Sequence, residues 1–461
     1  MPSILDSFDS VTHALAAQQF ALSISQRNVA NANDPNYTRQ DVAFTGDSGD
    51  SVSGISGVVL EASRDRFLDY SISRELQSLG ENNVAYSALQ QVDSILGGNS
   101  GENLQKALAA FFGSFSALST APEDRVLRQQ VLSSAKTLTA EFQRIYSGVQ
   151  QVQSAQDRSV TYSVDGINAI TTRIADLNGR IAAAQAAQSE TESTLRDDRQ
   201  KLLEKLSDLM DVAYYETESG AVTVTTRDGG LIVTGDQKYD LAAARLLPGA
   251  FLSVQLDGVD VTGSLGSGQL GGLIKLRDNT IEGYLTALDD MSATIISRVN
   301  EQHANGSDYT GTAGGDFFTP FTEVIPGSNK GCARTMNVAL ADPAEIAAAE
   351  SGAGVGDNTN AQLLAAIADE ALFSASTETV YEYYSRLIYQ IGSDEASAEE
   401  NITVQNGLLE QLRNQRAAVH GVNLDEEAVN IIKYQRAYQA SARFANVLDS
   451  LSEEIIQLLG A

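Results

Sequence analysis

The sequence predicts a mainly α-helical protein carrying a β-rich insert, arranged as discontinuous nested domains, and three observations lead there. The chain has only seven prolines, at 2, 35, 122, 248, 320, 326 and 343, so the stretches 36–121, 123–247 and 344–461 lack the strongest helix breaker. Apolar residues recur at helical spacing through 123–210, through 273–303 and from about 361 onward. Between these blocks the texture changes to alternating β-branched residues. The order helix, β, helix implies a long helical bundle body whose two halves close around an excursion. No tandem repeat of fixed period is present.

Taken in order, residues 4, 8, 11, 15, 18, 22, 25 and 29 read Ile4, Phe8, Val11, Leu15, Gln18, Leu22, Ser25 and Val29. That is a coiled-coil-like seam of about four heptads. It runs into Asn28-Val29-Ala30-Asn31-Ala32-Asn33-Asp34-Pro35, where Asn tolerates helix-ending conformations and Pro35 pushes Asp34 out of the helical region, so a sharp stop and an extended strand are expected. Leu127, Val131, Leu138, Phe142 and Ile145, then Ile167, Ile170, Ile174, Leu177 and Ile181, predict long helices over 123–210, broken near Gly166 or Ser189. Val222-Thr223-Val224-Thr225-Thr226, a turn at Asp228-Gly229-Gly230, and Leu231-Ile232-Val233-Thr234 predict a hairpin. A second is expected around Asp257-Gly258. Helix returns over 273–303 with Leu285, Leu288, Met291, Ile295 and Val299, followed by Gly-, Thr- and Pro-rich loop from 304 to 335.

The last helix has a hard start. Gly421 breaks what precedes it, and Asn423-Leu424-Asp425-Glu426 has the form of a capping box with extra acids for the helix dipole. Beyond lies a second seam, Ile431, Tyr434, Tyr438, Ser441, Ala445, Leu448, Ser452, Ile455 and Leu459. Two matched seams at opposite ends of one chain can pair with each other or with neighbouring molecules. A lone helix of this length is marginal in water, so order in either seam is expected to depend on such pairing. The expected domains are therefore 1–45 with 425–461 as paired terminal helices, 46–210 with 271–303 and 356–424 as the helical body, and 211–270 with 304–355 as an outer β-rich insert. The candidate assembly interface comprises Phe8, Val11, Leu15, Leu22, Asn28, Asn31, Pro35, Tyr37 and Arg39 at the N-terminal side. At the C-terminal side it comprises Asn423, Leu424, Asp425, Glu426, Ile431, Tyr434, Tyr438, Ala445, Leu448, Ile455 and Leu459.

Composition narrows the chemistry. Among 461 residues, 31 Lys and Arg against 60 Asp and Glu give 31 − 60 = −29 formal charges, a surface that repels phosphate backbones and anionic headgroups. No nucleic-acid or membrane partner is expected. One cysteine, Cys332, and three histidines, His13, His303 and His420, exclude a disulfide framework within the chain and a cysteine-rich metal centre. No cofactor is expected. His420 reads as a solvent-facing residue at a helix end, interacting with carbonyls. Gly46-Asp47-Ser48-Gly49 has the form of a serine-protease nucleophile loop, but no histidine base stands in a matching pattern, and a turn-rich loop explains it. Gly352-Ala353-Gly354-Val355-Gly356 follows no buried strand and lacks Gly-Lys-Ser/Thr, so it reads as a connector and not a phosphate cradle. Asp228, Asp236 and Asp240 are too scattered for a calcium loop. No enzyme is expected. The N-terminal acids and the lack of any apolar run of roughly 18 residues predict neither a cleaved signal nor a membrane span.

The segment from Asn28 to Arg39 resembles the Asn-x-x-Asn-x-x-x-Pro-x-Tyr-x-Arg signature of bacterial flagellar axial proteins, those of rod, hook and hook–filament junction. It departs where members usually have Thr-Pro-Gly-Tyr and this chain has Asp34-Pro35-Asn36-Tyr37. Gly421 to Glu427, followed by Tyr434-Gln435-Arg436-Ala437-Tyr438-Gln439-Ala440-Ser441-Ala442, is similar to the end of the hook-associated protein 1 family. Leu276-Arg277-Asp278, Phe317-Phe318, Gly356 to Ala361 and Tyr383 to Leu387 fall in that family's order. The resemblance is weak across 211–270 and 304–350, and the chain is on the short side for the family. It implies an extracellular structural subunit of the flagellum, forming a ring of copies at the hook–filament junction, with the terminal helices in the inner tube. It implies export without a cleaved signal peptide through the flagellar type III export apparatus. The implied partners are the chain itself, the hook protein, the second hook–filament junction protein, and an export chaperone holding the C-terminal helix from Ile431 to Leu459. Another axial protein (the second junction protein or a flagellin-like chain) and a secreted hydrolase or adhesin remain the alternatives.

Overall fold

A computed structural model describes residues 4–34, 36–46, 55–62, 64–97, 103–187, 191–323 and 325–459. Among these, the helices are α1 (Ile4–Ala30), α2 (Arg66–Gly97), α3 (Leu104–Leu118), α4 (Arg125–Ala186), α5 (Glu192–Leu209), α6 (Gly268–Lys275), α7 (Ile281–Ala304), α8 (Cys332–Thr335), α9 (Thr359–Ala366), α10 (Val380–His420) and α11 (Leu424–Leu459). The strands are short and all antiparallel: β1 (Gln40–Gly46) with β2 (Ile55–Ala62); β3 (Val212–Glu216), β4 (Val222–Thr226), β5 (Leu231–Thr234) and β6 (Gln237–Lys238) in one sheet; β7 (Leu241–Ala244), β8 (Ser253–Leu256) and β9 (Val259–Asp260) in another; and β10 (Gly306–Ser307) with β11 (Ala349–Glu350).

The 62-residue helix α4 is the spine, about 93 Å long at ~1.5 Å per residue. Asp124 caps its start, its carboxylate accepting the Val126 N–H at 2.7 Å. The helix runs straight through Gly166 and ends at Ala186, so of the two expected breaks only the later one, near Ser189, coincides with an end. A single helical glycine costs only about 1 kcal/mol, and Val164 and Ile167 beside it are buried.

Two cores share this spine. The first half of α4 packs Val131, Leu138, Phe142 and Ile145 against α2, α3, α7 and α8, in a core that α9 and the first half of α10 complete. Its second half packs Val160, Val164, Ile167 and Ile174 against α5, α6 and the strands β3 to β8. The two expected hairpins lie here, at β4–β5 and β8–β9.

The expected union of 304–355 with 211–270 in one outer insert is not the packing seen. Strands β3 to β9 pair only among themselves, while 304–355 turns back into the helical core. Phe317 and Phe318 are fully buried, their ring centroids 5.7 and 5.5 Å from Phe111, and Phe317 also lies 5.7 Å from Phe115. Asn300 on α7 fixes them, its Oδ1 accepting both backbone N–H groups at 3.0 and 2.8 Å and its Nδ2 donating to the Phe318 carbonyl at 2.8 Å. A Gly- and Pro-rich composition marks a loop but carries no period to say which core the loop covers.

Helices α2 and α10 lie antiparallel, Leu409 meeting Ile72 and Leu76 at one end and the Tyr384 hydroxyl donating to the Leu96 carbonyl at the other. This pair returns the chain to the end of the body where α1 leaves it.

One buried side chain docks the β unit on the spine. Asn178 donates to the carbonyls of Val222 and Gly235, both at 2.8 Å, and its Oδ1 accepts from the Val222 N–H at 3.0 Å and Arg199 Nη1 at 2.9 Å. Asn178→Ala leaves these partners without their side-chain hydrogen bonds. It should lower unfolding stability by about 3 kcal/mol in urea titration, with amide exchange rising first in β4 to β6; an unchanged midpoint would contradict this role.

Candidate assembly interface

Chain geometry brings the two ends together. Helix α1 arrives at, and α11 departs from, one cluster of side chains, so the two run antiparallel against each other, and α1 also lies on the β1–β2 hairpin. The turn after α1 is built by Asn28. Its Nδ2 donates to the Gln40 carbonyl at 2.9 Å, and its Oδ1 accepts from the Gln40 N–H at 3.2 Å and the Tyr37 hydroxyl at 2.8 Å. Asn28 thus stands in for a neighbouring strand at the start of β1. Burial, with the nearby Asp197 charge adding to it, pushes the Tyr37 hydroxyl up to about 12, so it stays a donor at any physiological pH. Asn31 closes the helix by donating to the Arg27 carbonyl at 2.9 Å.

Arg39 joins the ends. Its Nη1 lies 3.0 Å from Glu426 Oε2 and its Nε 2.8 Å from Glu427 Oε1, while its backbone N–H donates to the His420 carbonyl at 3.0 Å. The Glu427 side chain is 1% exposed, so this is a buried ion pair and not a rim contact. Asn423 caps α11, its Oδ1 accepting the Asp425 N–H at 3.0 Å. Glu426 reaches the Asn423 side-chain amide at 3.5 Å and is held more closely by Arg39.

Behind Arg39 lies a second tier that ties the terminal pair to the body. Arg416, on the last turns of α10, holds Glu204 of α5 at 2.6 Å, Asp69 of α2 at 3.3 Å and the Asn36 side-chain oxygen at 2.8 Å. Its burial alone would lower its pKa, but Glu204 and Asp69 outweigh that and raise it. Asp197 on α5 accepts from Thr38 Oγ1 at 2.9 Å and from Arg64 at 2.7 Å, although burial still pushes its carboxyl up. Lys201 donates to Asp34 at 2.8 Å and holds that carboxyl below the usual range. Periodicity gave no sign of Arg416, Asp69, Glu204, Asp197, Arg64 or Lys201. Each is a polar residue inside an otherwise regular helical or extended segment.

His420 is a correction. It is 6% exposed and not solvent-facing, and its Nε2 accepts the Asp65 N–H at 2.7 Å, linking the end of α10 to the start of α2. Gly421 follows in extended conformation (φ −69°), and a Cβ there would sit 2.1 Å from the Ala417 carbonyl oxygen. Its lack of a side chain, and no left-handed turn, is what the site uses.

Of the predicted interface residues, Val11, Asn28, Tyr434 and Leu448 are buried, and Phe8, Leu15, Leu22, Asn31, Tyr37, Arg39, Ile431 and Ala445 are half-buried. The Tyr434 ring stands edge-on to Phe44 of the hairpin, centroids 6.1 Å apart. Asn423, Leu424, Asp425, Glu426 and Tyr438 are exposed in the single chain. Pro35 lies outside the described residues, as do the side chains of Ile455 and Leu459 and the Asp47-Ser48-Gly49 loop. The covered stripe of α1 is rotated from the predicted seam: Ala17, Ala21, Ile24 and Asn28 are buried while Val29 is exposed. Small alanines at steps of four and three were the available signal, and they allow close helix approach.

Helix α11 has a second apolar face. Val429, Ile432, Phe444, Val447 and Leu451 are each 47–65% exposed. Among the described residues no helix is long and apolar enough to cross a membrane.

Comparison with known proteins fits this geometry. A model described as the flagellar hook-associated protein FlgK helical domain matches residues 89–318, and one described as the flagellar basal body rod FlgEFG protein C-terminal region matches 418–458. A protein named flagellar hook-associated protein 1 from Bacillus subtilis is 28% identical over 100% of this chain and 99% of its own length. The chain belongs to the flagellar hook-associated protein 1 family. The Escherichia coli member is 23% identical over 96% of this chain and 98% of its own. The solved hook junction protein FlgK from Burkholderia pseudomallei superposes with a TM-score of 0.67 at 16% identity, over 76% of this chain and 100% of that one, and shows the fold. The hook-associated family is one of structural flagellar proteins, which places this chain in the flagellum among other axial proteins. Its helical-domain match ends at Phe318, inside the segment that buries Phe317 and Phe318 in the helical core, and its rod-type match begins at the last turn of α10 and spans nearly all of α11.

Arg39→Ala leaves the Glu427 carboxylate buried without its cation. It should weaken terminal pairing by about 3 kcal/mol, seen as amide exchange in α1 and α11 faster on the order of a hundredfold. Arg39→Leu combined with Glu427→Leu should recover most of that loss. A single variant exchanging at the wild-type rate would show the pair to be no stronger than a surface contact.

Proposed function

We propose that this chain is the structural subunit that joins flagellar hook to filament, assembling as a ring through its paired terminal helices. The observation that carries this reading is the exposed side of α11: Val429, Ile432, Phe444, Val447 and Leu451 stay exposed although another side is already covered by α1 and by Phe44 of the hairpin. Two exposed apolar patches, Val429 with Ile432 and Phe444 with Val447 and Leu451, separated by Lys433 and Arg436, favour helix-on-helix contact with neighbouring copies. The interface residues named from the sequence divide accordingly. Those from Asn28 to Arg39, with Glu426 and Glu427, shape the subunit's own base, and Tyr438 with the exposed α11 stripe meets neighbours.

In this reading the hook protein lies on one side of the ring and the second junction protein on the other. The chain leaves the cell through the flagellar type III export apparatus without a cleaved signal, and an export chaperone covers the α11 stripe beforehand. The domains follow the same scheme, with 1–45 and 425–461 innermost, the helical body outside them and the β unit outermost. We read the chain as non-catalytic. His303 uses Nδ1 on the Gly315 carbonyl at 2.7 Å and Nε2 on the Ala347 N–H at 2.9 Å, and Cys332 is buried with its thiol pushed up to about 11 by that burial.

A strain lacking this chain should make hooks without attached filaments and shed flagellin into the medium; normal filaments would end the junction reading. Ala445→Pro breaks α11 at a cost of about 3 kcal/mol and should abolish complementation while the melting transition of the helical body stays within a few degrees of wild type. Phe444→Asp should do the same with α11 still helical by circular dichroism.

A further inference from the structure

His303, on the last turn of α7, is fully buried and bound at both ring nitrogens. Its Nε2 accepts the Ala347 N–H at 2.9 Å. A backbone amide can only donate, so Nε2 carries no proton and Nδ1 holds the single one, donated to the Gly315 carbonyl at 2.7 Å. The imidazole thus ties two distant parts of the 304–355 segment to one helix. The space around it is closed. A Cβ on Gly314 would sit 2.1 Å from the His303 carbonyl oxygen and 2.8 Å from the Ala347 Cβ. The Phe317 ring stands edge-on to the imidazole, centroids 5.4 Å apart. Asp308 and Asp316 on the loop side favour a second proton, but burial outweighs them and holds the imidazole below its ordinary value. From α4, Arg128 ends on the Ile346 carbonyl at 2.8 Å, one residue from Ala347. From α9, neutral Asn360 donates to the Ala347 carbonyl at 2.6 Å.

We propose that His303 is an acid-released latch: a second proton on the imidazole frees the 313–315 turn and the 346–348 segment from the helical core. Proton uptake puts an N–H on Nε2, facing the Ala347 N–H. The bond is exchanged for a donor–donor contact and a charge in a closed, largely apolar site. Relief comes when one of the two backbone segments moves away. Movement at Gly315 unseats Phe317 and Phe318, which stand two and three residues further along the chain. Burial fixes the direction. An imidazole depressed by folding supports the closed state fully above about pH 6.5, its unfolded value, and loses that support as pH falls toward the folded value. Asp289 on the same helix responds with the opposite sign. It accepts the Gly331 and Ala333 N–H groups at 2.8 and 2.9 Å, and burial raises it to about 6, so acid favours its closed state. The β unit is docked by Asn178, whose amide does not titrate. The latch belongs to the folded subunit and is independent of how copies assemble.

The test is amide exchange of the full-length protein by mass spectrometry from pH 7.5 to 5.0, each rate divided by the intrinsic rate at that pH. Peptides covering 313–319 and 345–349 should open on the order of tenfold more often in acid, with a ceiling of about thirtyfold for a ring that binds its proton only in the open state. Strands β4 to β6 should not change. His303→Gln keeps an oxygen for the Ala347 N–H but cannot bind a proton, so its profile over those peptides should be flat, whatever its level at pH 7.5. His303→Asn, which keeps a donor for the Gly315 carbonyl, should be flat likewise and serves if the first variant misfolds. A flat wild-type profile, an equal rise in either variant, or a rise that includes β4 to β6 would overturn the latch.

Discussion

The buried pair between Arg39 and Glu427 is the constraint on which the rest of the architecture depends. The two residues are 388 positions apart, and their 2.8 Å contact requires that everything between them form a closed excursion. A charge at 1% exposure is tolerable only when its counterion is held in place. That placement comes from the turn built by Asn28, Tyr37 and Gln40 on one side and from the α10–α11 corner at His420 and Gly421 on the other. Neither α1 nor α11 has a body to lie on without this meeting point, and isolated helices of their length are marginal in water.

The body converts that local meeting into a rigid unit. Helix α4 threads both cores, and the antiparallel α2–α10 pair carries the chain back to its origin. Arg416 sits where the two levels touch, gripping α5 and α2 of the body and Asn36 of the terminal turn in one buried cluster. A displacement of the terminal pair must therefore strain charges whose replacement by solvent is costly. Under the proposed function, a ring subunit would draw on that stiffness to hold its body against the terminal pair.

The sequence disclosed this organisation unevenly. The seam on α11 was legible in part because its apolar residues repeat every three to four positions: Tyr434 and Leu448 are buried, while Tyr438 of the same repeat is exposed. The α1 seam was rotated, since Ala17 and Ala21 are too small to dominate an apolar pattern although they permit the closest approach. Gly421 was recognisable as a break, but its reason is steric contact with Ala417 and not backbone freedom. The Arg416 cluster, the Thr38–Asp197 bond and the burial of His420 were invisible, because polar contacts 159 to 380 residues apart leave no local period. The segment 304–355 was readable as loop, while its role in sealing the helical core depended on Phe317, Phe318 and Asn300 meeting in three dimensions.

The central claim is that α1 and α11 form one antiparallel pair within each subunit and offer the outer face of α11 to neighbouring subunits. Cryo-electron microscopy of isolated hook–filament junctions tests it most directly. The account predicts density in which Arg39 and Glu427 of the same chain remain in contact while Val429, Ile432, Phe444, Val447 and Leu451 are buried against adjacent copies. Terminal helices paired between different subunits, or that stripe facing open solvent in the assembled ring, would contradict it.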